Sequence, residues 1–536
     1  MTVSGIRLFG IFVFGFYAHG AAMDLPEVPD GNYRVLKNLD YDSAGEAAAE
    51  WKPIEGASAV SALKAGSRKV LDLPCLFSSE ASARSAWDLK VEWNLLKCQG
   101  LRFKMFCADP MPVSQFNLYL KSGSGWYTGS FDSAEQGAWT IVSVDKGSMK
   151  TEGSPQGWSG ITRLRIAAWK GAASDTAFSI ADMGIFGENA ELAVVRSDAI
   201  LKSAPGKAGT ITRYTGNFTR YLRNLDVNYV TVSDHDLTQE FMSGIKLAIL
   251  PYNPGLTSSA VESLKKHVSR GGKILSFCIL PQELSGPTGI KPGKSRPQAY
   301  RGQFASIKMT KDVPFEGMPE TVTQKSWRIF GASPVKGRSR TIAYWHDKKG
   351  SDTGVPAVIM SDNCIHVTAP LLSGDSRNKR KMVLAAAGRF VPSLWKSSSE
   401  SSIAGIGRFA GYRSLQELRR AALKAVRPRR PIRSFINRAE ALQSEAATLR
   451  DRGRFVEAFE KAELAGRLAI RAYCSAQESA RKEHRAFWCH NPFGITGMSW
   501  DRAVKLLGRN GFGVIMPSML WSGAAYYKSD VLPVAP

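Results

Sequence analysis

Lys246-Leu247-Ala248-Ile249-Leu250-Pro251-Tyr252-Asn253-Pro254 opens the stretch that decides the fold. The apolar run stops at Pro251, the amphipathic segment Ser258 to Ser269 follows, Arg270-Gly271-Gly272 turns the chain, and Lys273 to Leu280 is apolar again. Strand, helix, turn and strand in that order form a unit of a parallel sheet, since a helix must carry the chain back before a second strand can run the same way. The alternation extends upstream through Leu192-Ala193-Val194-Val195, a helical stretch around Phe218 to Asn224 and the strand Asn228 to Val232. Residues 190–395 therefore read as one α/β domain.

Before it the pattern changes to period two. Leu101, Phe103, Met105 and Cys107 place apolar residues on alternate positions, as do Phe116, Leu118 and Leu120, which predicts half-buried antiparallel strands. Further short runs at Trp139 to Val144, Ile161 to Ala168 and Ala177 to Phe186 are separated by turns such as Lys121-Ser122-Gly123-Ser124-Gly125, and residues 24–189 read as a β-sandwich. Trp126, Tyr127 and Trp158, with Trp139 and Trp169, offer flat apolar faces for stacking on sugar rings. Packing a sandwich core is the alternative use of the same residues.

Downstream, residues 396–431 are rich in Ser, Gly, Pro and Arg and read as a basic linker. Phe435, Ala439, Leu442, Ala446 and Leu449 form a helical stripe, Arg450-Asp451-Arg452-Gly453 a turn, and Phe455 to Ala480 a second helix, giving a helical hairpin over 432–482. The last segment, 483–536, holds an apolar run at Ala486 to Cys489, a helix from Ser499 as N-cap to Gly511 as C-cap, and the strand Gly513 to Pro517. This is one more parallel strand-helix-strand unit.

The N-terminus bears Arg7, the apolar run Leu8 to Tyr17 and the small residues Ala18-His19-Gly20-Ala21-Ala22, the order of a secretory signal peptide over 1–22. An uncleaved anchor is the alternative. No later run approaches the roughly 20 apolar residues of a membrane-spanning helix, so the expected product is exported, to periplasm, cell surface or medium, without a transmembrane span after cleavage. Length of 536 residues and 44% hydrophobic content allow three or four domains. The seven cysteines show neither a CxxC pair nor a His at ligand spacing, so no metal and no cofactor is expected, although Cys98 and Cys107 would be free to pair after export. The net charge of +24 favours polyanions, and in an exported chain an acidic glycan ranks above nucleic acid. Aromatics do not interleave with the arginines between Arg408 and Arg485, and no nucleic-acid partner is expected.

Three stretches carry resemblances. The sandwich resembles in style the galactose-binding-type jelly rolls that accompany secreted carbohydrate-active proteins. "KLAILPYNP", "LKKHVSRGGKILSFCILPQEL", "HVTAPLL" and "AAAGRFVPSLW" resemble a class I glutamine-amidotransferase-like, flavodoxin-like domain. There the nucleophile position corresponds to Cys278, flanked by Ser276-Phe277 and Ile279-Leu280. The small residues of a sharp nucleophile turn are missing, which predicts a degenerate site. Asp234-His235-Asp236 is expected to cap a loop. "EHRAFWCHNP" with "WDRAVKLLGRNGFGVIMPSMLWSGAAYYKSDVLP" resembles the opening of the catalytic (β/α)₈ barrel of the secreted glycosyl-hydrolase-like 10 family.

That resemblance implies a polysaccharide- or oligosaccharide-binding protein. The strand ends that would face its site carry His490, Asn491, Ser518, Trp521, Tyr526 and Tyr527. Glycoside hydrolysis ordinarily takes two facing carboxylates. Asp501 falls in the first turn of a helix and Asp530 in a loop, so the acid and base are expected to be absent from an incomplete barrel of two strands, where about 250 residues are typical. A non-catalytic scaffold for acidic glycans, and an amidotransferase-like hydrolase using Cys278, are the alternatives.

Overall fold

A computed structural model of the chain describes residues 25–28, 33–78, 83–132, 135–424, 430–477, 484–495 and 498–535. Residues 1–22, expected to form a signal peptide, lie outside them. The chain forms two compact units, Met1–Ala404 with Glu445–Glu463, and Gly405–Ser444 with Leu464–Pro536.

The first unit begins with twelve strands: β1 (Tyr33–Lys37), β2 (Trp51–Ile54), β3 (Ser61–Ala65), β4 (Arg68–Cys75), β5 (Arg84–Trp93), β6 (Gly100–Cys107), β7 (Val113–Ser122), β8 (Gly125–Phe131), β9 (Thr140–Asp145), β10 (Lys150–Glu152), β11 (Ile161–Lys170) and β12 (Thr176–Phe186). They form two antiparallel sheets, β3-β4-β12-β6-β9 with β1 added to β12, and β10-β8-β7-β11-β5-β2. The alternating residues predicted to face inward do so. Leu101, Phe103 and Met105 of β6 and Phe116, Leu118 and Leu120 of β7 share one core with Trp87, Phe178 and Ile180. This is a β-sandwich, because each sheet buries one face against the other. Cys98 and Cys107 are separate free thiols, each held by a carbonyl, of Leu95 and Ala177 respectively, so they do not pair.

The α/β part follows directly: β13 (Leu192–Arg196), β14 (Val230–Ser233), β15 (Leu247–Leu250), β16 (Lys273–Phe277), β17 (Ile290–Pro297), β18 (Phe304–Met309), β19 (Thr321–Ser326), β20 (Arg328–Pro334), β21 (Ser339–His346), β22 (Asp352–Ser361) and β23 (Cys364–Val367). Nine of these make one mixed sheet in the order β14-β13-β15-β16-β23-β22-β21-β18-β19. The first five are parallel, as the strand-helix alternation requires, and both faces are buried. Leu192 and Val194 face one core, Ala193 and Val195 the other. Burial on both sides explains why these strands are continuous apolar runs. The helix Ser258–Ser269 falls where its periodicity places it, capped by Thr257, whose hydroxyl accepts from Ala260 N–H at 3.2 Å. The antiparallel extension and the separate ribbon β17–β20 were not expressed in the sequence reading.

Residues 396–431 are not a linker throughout. The helix Ser393–Ala404 buries Ser398 and Ser399, whose hydroxyls donate to the carbonyls of Leu225 and Lys396 at 3.0 and 2.8 Å. Serines satisfied in this way pack as small core residues. A second helix, Leu415–Leu423, is capped by Ser414, with Glu417 reaching back to Arg413 N–H. The helices Arg430–Asp451 and Phe455–Ala476 give the expected hairpin. Within the first unit, Phe459 meets Trp395 edge-on at 5.7 Å, and Glu460 and Glu463 pair with Lys381 and Arg380. The second unit ends in a parallel pair of strands, Ala486–Cys489 and Val514–Pro517, joined by the helix Trp500–Arg509. No helix among the described residues is long and apolar enough to cross a membrane.

Sandwich and parallel sheet meet in a fully buried polar seam. Arg196, the last residue of β13, is 0% exposed; its Nε donates to Asp198 at 3.1 Å and its Nη1 to the Met149 carbonyl at 2.8 Å. Asp198 accepts from Tyr127 Oη at 3.1 Å, and Tyr127 stacks on Trp158 with ring centroids 3.6 Å apart. Lys146, also fully buried, donates to the Leu95 carbonyl and lies 5.0 Å over the Trp158 ring. From the α/β side, Asp236 accepts from Trp158 N–H and Ser159 Oγ, and Asp234 accepts from the N–H groups of Asp198 and Ala199. The polar cluster 234–236 is thus a cap and a clamp between the two folds. Replacing Arg196 by Met strands the Asp198 carboxylate without its cation, which is expected to cost about 3–5 kcal/mol. Urea unfolding followed by tryptophan fluorescence measures this, and a loss under about 1 kcal/mol contradicts the role given to the pair.

Candidate functional site

The outward face of the second sandwich sheet is built in cross-strand rows. Register places Ile54, Ala86, Ala167, Asn117 and Ser130 side by side. Lys52, Asp88, Arg165, Tyr119, Thr128 and Lys150 form the next row, and Lys90, Arg163, Lys121, Trp126 and Glu152 the third. Arg84, Trp169 and Gln115 close the first end. Because side chains alternate along each strand, this face is fixed once Phe116, Leu118 and Leu120 point inward.

The rows form an aromatic and guanidinium lattice. Arg165 lies 4.7 Å from the Trp126 ring and donates to Asp88 at 2.7 and 3.1 Å. Arg84 lies 4.9 Å over Trp169 and is held by both oxygens of Glu55. Trp126 meets Tyr119 edge-on at 6.3 Å and stays half-buried rather than covered. Ser130 Oγ accepts from the amides of Gln115 and Asn117, while the buried Oδ1 of Asn117 has no partner. Flat rings beside planar donors, carboxylates and amides are the groups that hold a polyhydroxylated ring by contact and hydrogen bonding together.

Of the five candidate stacking residues, Trp126 and Trp169 lie on this face, and Trp139 lines the first sheet's outward side. Tyr127 and Trp158 are 0% exposed and stack on each other in the seam, so they cannot meet a ligand. Adjacent strand residues face opposite sides, and Trp126 outward forces Tyr127 inward. Arg84, Asp88, Asn117, Tyr119 and Arg165 were not singled out from the sequence, although the period-two pattern that places Leu118 inside also places Tyr119 outside.

The opposite outward face, on the first sheet, holds a small cavity of about 20 Å³ beside Asp72, Ser179, Phe106 and Trp139. A second concavity of about 450 Å³ lies between the sandwich and the end of the helix Ala208–Arg223, lined among others by Arg102, Ser143, Asp145, Arg223 and Asn228. Asp145 there is occupied by Gln99, Tyr229, Arg223 and Gly147 N–H.

At the carboxyl edge of the parallel sheet, Cys278 follows β16 with φ +65°, a left-handed turn despite the absence of flanking glycines. The expectation of no sharp turn is thus corrected for the backbone; its N–H donates to the Val367 carbonyl at 2.8 Å. The chemistry does not follow. Burial pushes the thiol up to about 12, with no cation opposing it. His366 bonds Ser276 at 3.2 Å instead, and burial holds its imidazole down at about 4. The crevice where β13 separates β14 from β15 is filled by Asn253, which donates to the Val195 carbonyl and Ser197 Oγ.

In the second unit, the paired strand ends bring several predicted residues together. Trp488 donates to Ser518 Oγ at 2.9 Å and stacks on His490 at 5.8 Å, while Tyr526 meets Phe493 at 5.5 Å. Asn491 caps its own turn through Phe493 N–H, and Trp521 and Tyr527 are exposed, with no recorded contact to the others. Asp501 pairs with Lys505 four residues on, and Asp530 is exposed in a loop, so neither is placed as a facing acid and base. Nor does any group of three or more His, Cys, Asp and Glu among them converge to hold a metal ion.

No family model matches the chain, and no curated protein does. Among solved structures, a putative ThuA-like protein from Bacteroides uniformis is similar at 11% identity, over 37% of this chain and 90% of that one, with a TM-score of 0.28. Alpha-L-fucosidase isoenzyme 2 from Paenibacillus thiaminolyticus is similar at 15% identity over 38% of this chain, which spans 33% of the fucosidase, with a TM-score of 0.29. A family 11 carbohydrate-binding module of a Clostridium thermocellum cellulase is similar at 8% identity over 29% of this chain and 94% of the module, with a TM-score of 0.22. Similarities of this size carry no inference about activity.

Two outcomes follow. Burial raises the Asp72 carboxyl to about 6, only partly offset by the hydroxyls of Ser179 and Ser61. Between about pH 4 and 6 the folded state then binds more protons than the unfolded one, so this group destabilises increasingly as pH rises through that window. Asp72→Asn is expected to gain about 1–3 kcal/mol at pH 7 and nothing at pH 4, read from urea midpoints at both values. Of the seven cysteines only Cys474 is exposed, so a disulfide-exchange reagent at pH 8 should modify one thiol rapidly in the native protein. Fast labelling of Cys278, mapped by mass spectrometry, would restore a nucleophilic role for it.

Proposed function

We propose that the chain is an exported carbohydrate-active protein that binds polysaccharide through the outward face of its second sandwich sheet, within an architecture of the secreted glycosyl-hydrolase-like 10 type. The observation that carries the reading is the set of adjacent cross-strand rows in which Trp126, Tyr119 and Trp169 interleave with Arg84, Arg165, Asp88 and Asn117. The guanidinium groups of Arg84, Arg163 and Arg165 on this face are compensated by Glu55 and Asp88, and their directed donors suit uncharged hydroxyls. Binding rather than hydrolysis fits the positions of Asp501 and Asp530, which are too poorly placed to act as acid and base. The amidotransferase reading is disfavoured by the inert environment of Cys278.

The test is affinity electrophoresis and calorimetry of the intact protein against a panel of soluble neutral polysaccharides. Trp126→Ala is expected to weaken the best ligand by about tenfold, the usual scale for losing a tryptophan anchor, with unchanged thermal stability. Equal binding by the variant, or no neutral polysaccharide bound by the intact protein, removes the proposal.

A further inference from the structure

The strands β17 and β20 form a two-stranded ribbon apart from the main sheet. From Gly289 to Lys311 the chain has six Lys and Arg and no Asp or Glu; from Thr321 to His346 it has five and none. Pairing brings the two stretches together: Lys291 lies opposite Ser333, Arg296 opposite Ile329, and Pro297 opposite Arg328. Gln298 N–H donates to the Trp327 carbonyl at 2.9 Å, so Arg296, Trp327 and Arg328 share one end of the ribbon.

Several surface cations of the first unit pair with carboxylates, as Arg84, Arg165 and Arg380 do. On the ribbon they do not. Among the described residues Lys291, Lys294, Arg296, Arg301 and Arg328 form no ion pair, and Arg328 donates only to Ser295 Oγ. Uncompensated like charges this close repel one another, a cost a bound anion would relieve.

Part of the pattern has a simpler use. Lys291, Pro292, Lys294 and Pro297 would keep an edge strand from recruiting another strand. That explanation fails for Trp327, which is 62% exposed, since a large apolar ring on an edge invites the association that lysine and proline prevent. The Arg328 guanidinium stands 5.1 Å from that ring and leaves it presented beside the charges. A ring plane with adjacent planar donors matches a polymer whose units carry both a flat apolar face and a carboxylate or sulfate. Nucleic acid needs successive ring planes for successive bases. The second aromatic here, Tyr300, is instead tied through its hydroxyl to Asp347 at 3.3 Å.

We propose that the ribbon β17–β20 is a binding surface for acidic polysaccharide, with Lys294, Arg296 and Arg301 meeting the anionic groups and Trp327 stacking on a sugar ring. This surface lies on the α/β part and is independent of the neutral-glycan face of the sandwich.

The experiment measures binding of the full chain to immobilised polygalacturonate, as the carboxylate polymer, and heparin, as the sulfated one, across a NaCl series, with single-stranded DNA as comparison. K294A/R296A/R301A should weaken binding by about ten- to a hundredfold at low salt and flatten the dependence of log Kd on log salt, because fewer counterions are released. Trp327→Ala should weaken it by about tenfold with an unchanged salt slope, as loss of a stacking plane does. Trp126→Ala should bind both polymers as the unaltered protein does, which separates this surface from the sandwich face. Preference for polygalacturonate or for heparin names the anion. Equal binding by the triple variant, no binding of either polymer at 50 mM NaCl, or tighter binding of the DNA overturns the proposal.

Discussion

Arg196 ends the first strand of the parallel sheet with its guanidinium fully buried against Asp198, the Met149 carbonyl and the Tyr127 ring, and much of the first unit follows from that placement. A charge without water is tolerated only where the opposite charge is close and acceptors are at hand; Arg196 has both on Nε and Nη1, while its buried Nη2 finds no acceptor among the described residues. The sandwich supplies the carbonyl and the aromatic wall; the α/β part supplies the acid, itself held by Tyr127. Neither fold can complete the set alone. The seam therefore makes one body of two architectures that each have their own core.

The seam also decides which surfaces remain for ligands. It consumes Tyr127, Trp158, Asp234 and Asp236, four groups that a search for binding residues would otherwise pick. What it leaves is the outward face with Trp126 and Trp169, and far along the chain the ribbon with Trp327. These surfaces differ in how their guanidinium groups are met. On the sandwich face, Arg84 and Arg165 pair with Glu55 and Asp88; on the ribbon, among the described residues, no carboxylate pairs with Arg296 or Arg328. The two proposed ligand classes follow from this difference: directional bonds for a neutral sugar on the first surface, unmet charge for an anionic one on the second.

Legibility in the sequence follows the range of the interactions. The parallel strands were readable because burial on both faces makes Leu247 to Leu250 uniformly apolar, and the sandwich because Leu101, Phe103 and Met105, facing its core, alternate with Arg102 and Lys104. The unit from Ala486 to Pro517 was readable from its cap residues and helix spacing. What failed depended on distant partners. Ser398 reads as linker until the Leu225 carbonyl, 173 positions away, is seen to accept its hydrogen bond. Trp158 reads as a stacking residue until Tyr127 and Lys146 enclose it. The case of Tyr127 differs, because strand alternation already set it opposite Trp126, and that signal was present but unused.

Cys278 shows how far backbone geometry goes without its chemical surroundings. Its positive φ is a strained turn at the end of a buried strand, the backbone feature a nucleophile needs. Nucleophilicity also requires a base or a cation to hold the thiolate, and the only imidazole on the adjacent strand, His366, is committed to Ser276. A thiol desolvated on all sides and unopposed by positive charge stays protonated across the working range of pH. The strained backbone at Cys278 is thus present without the surroundings that would make its thiol reactive.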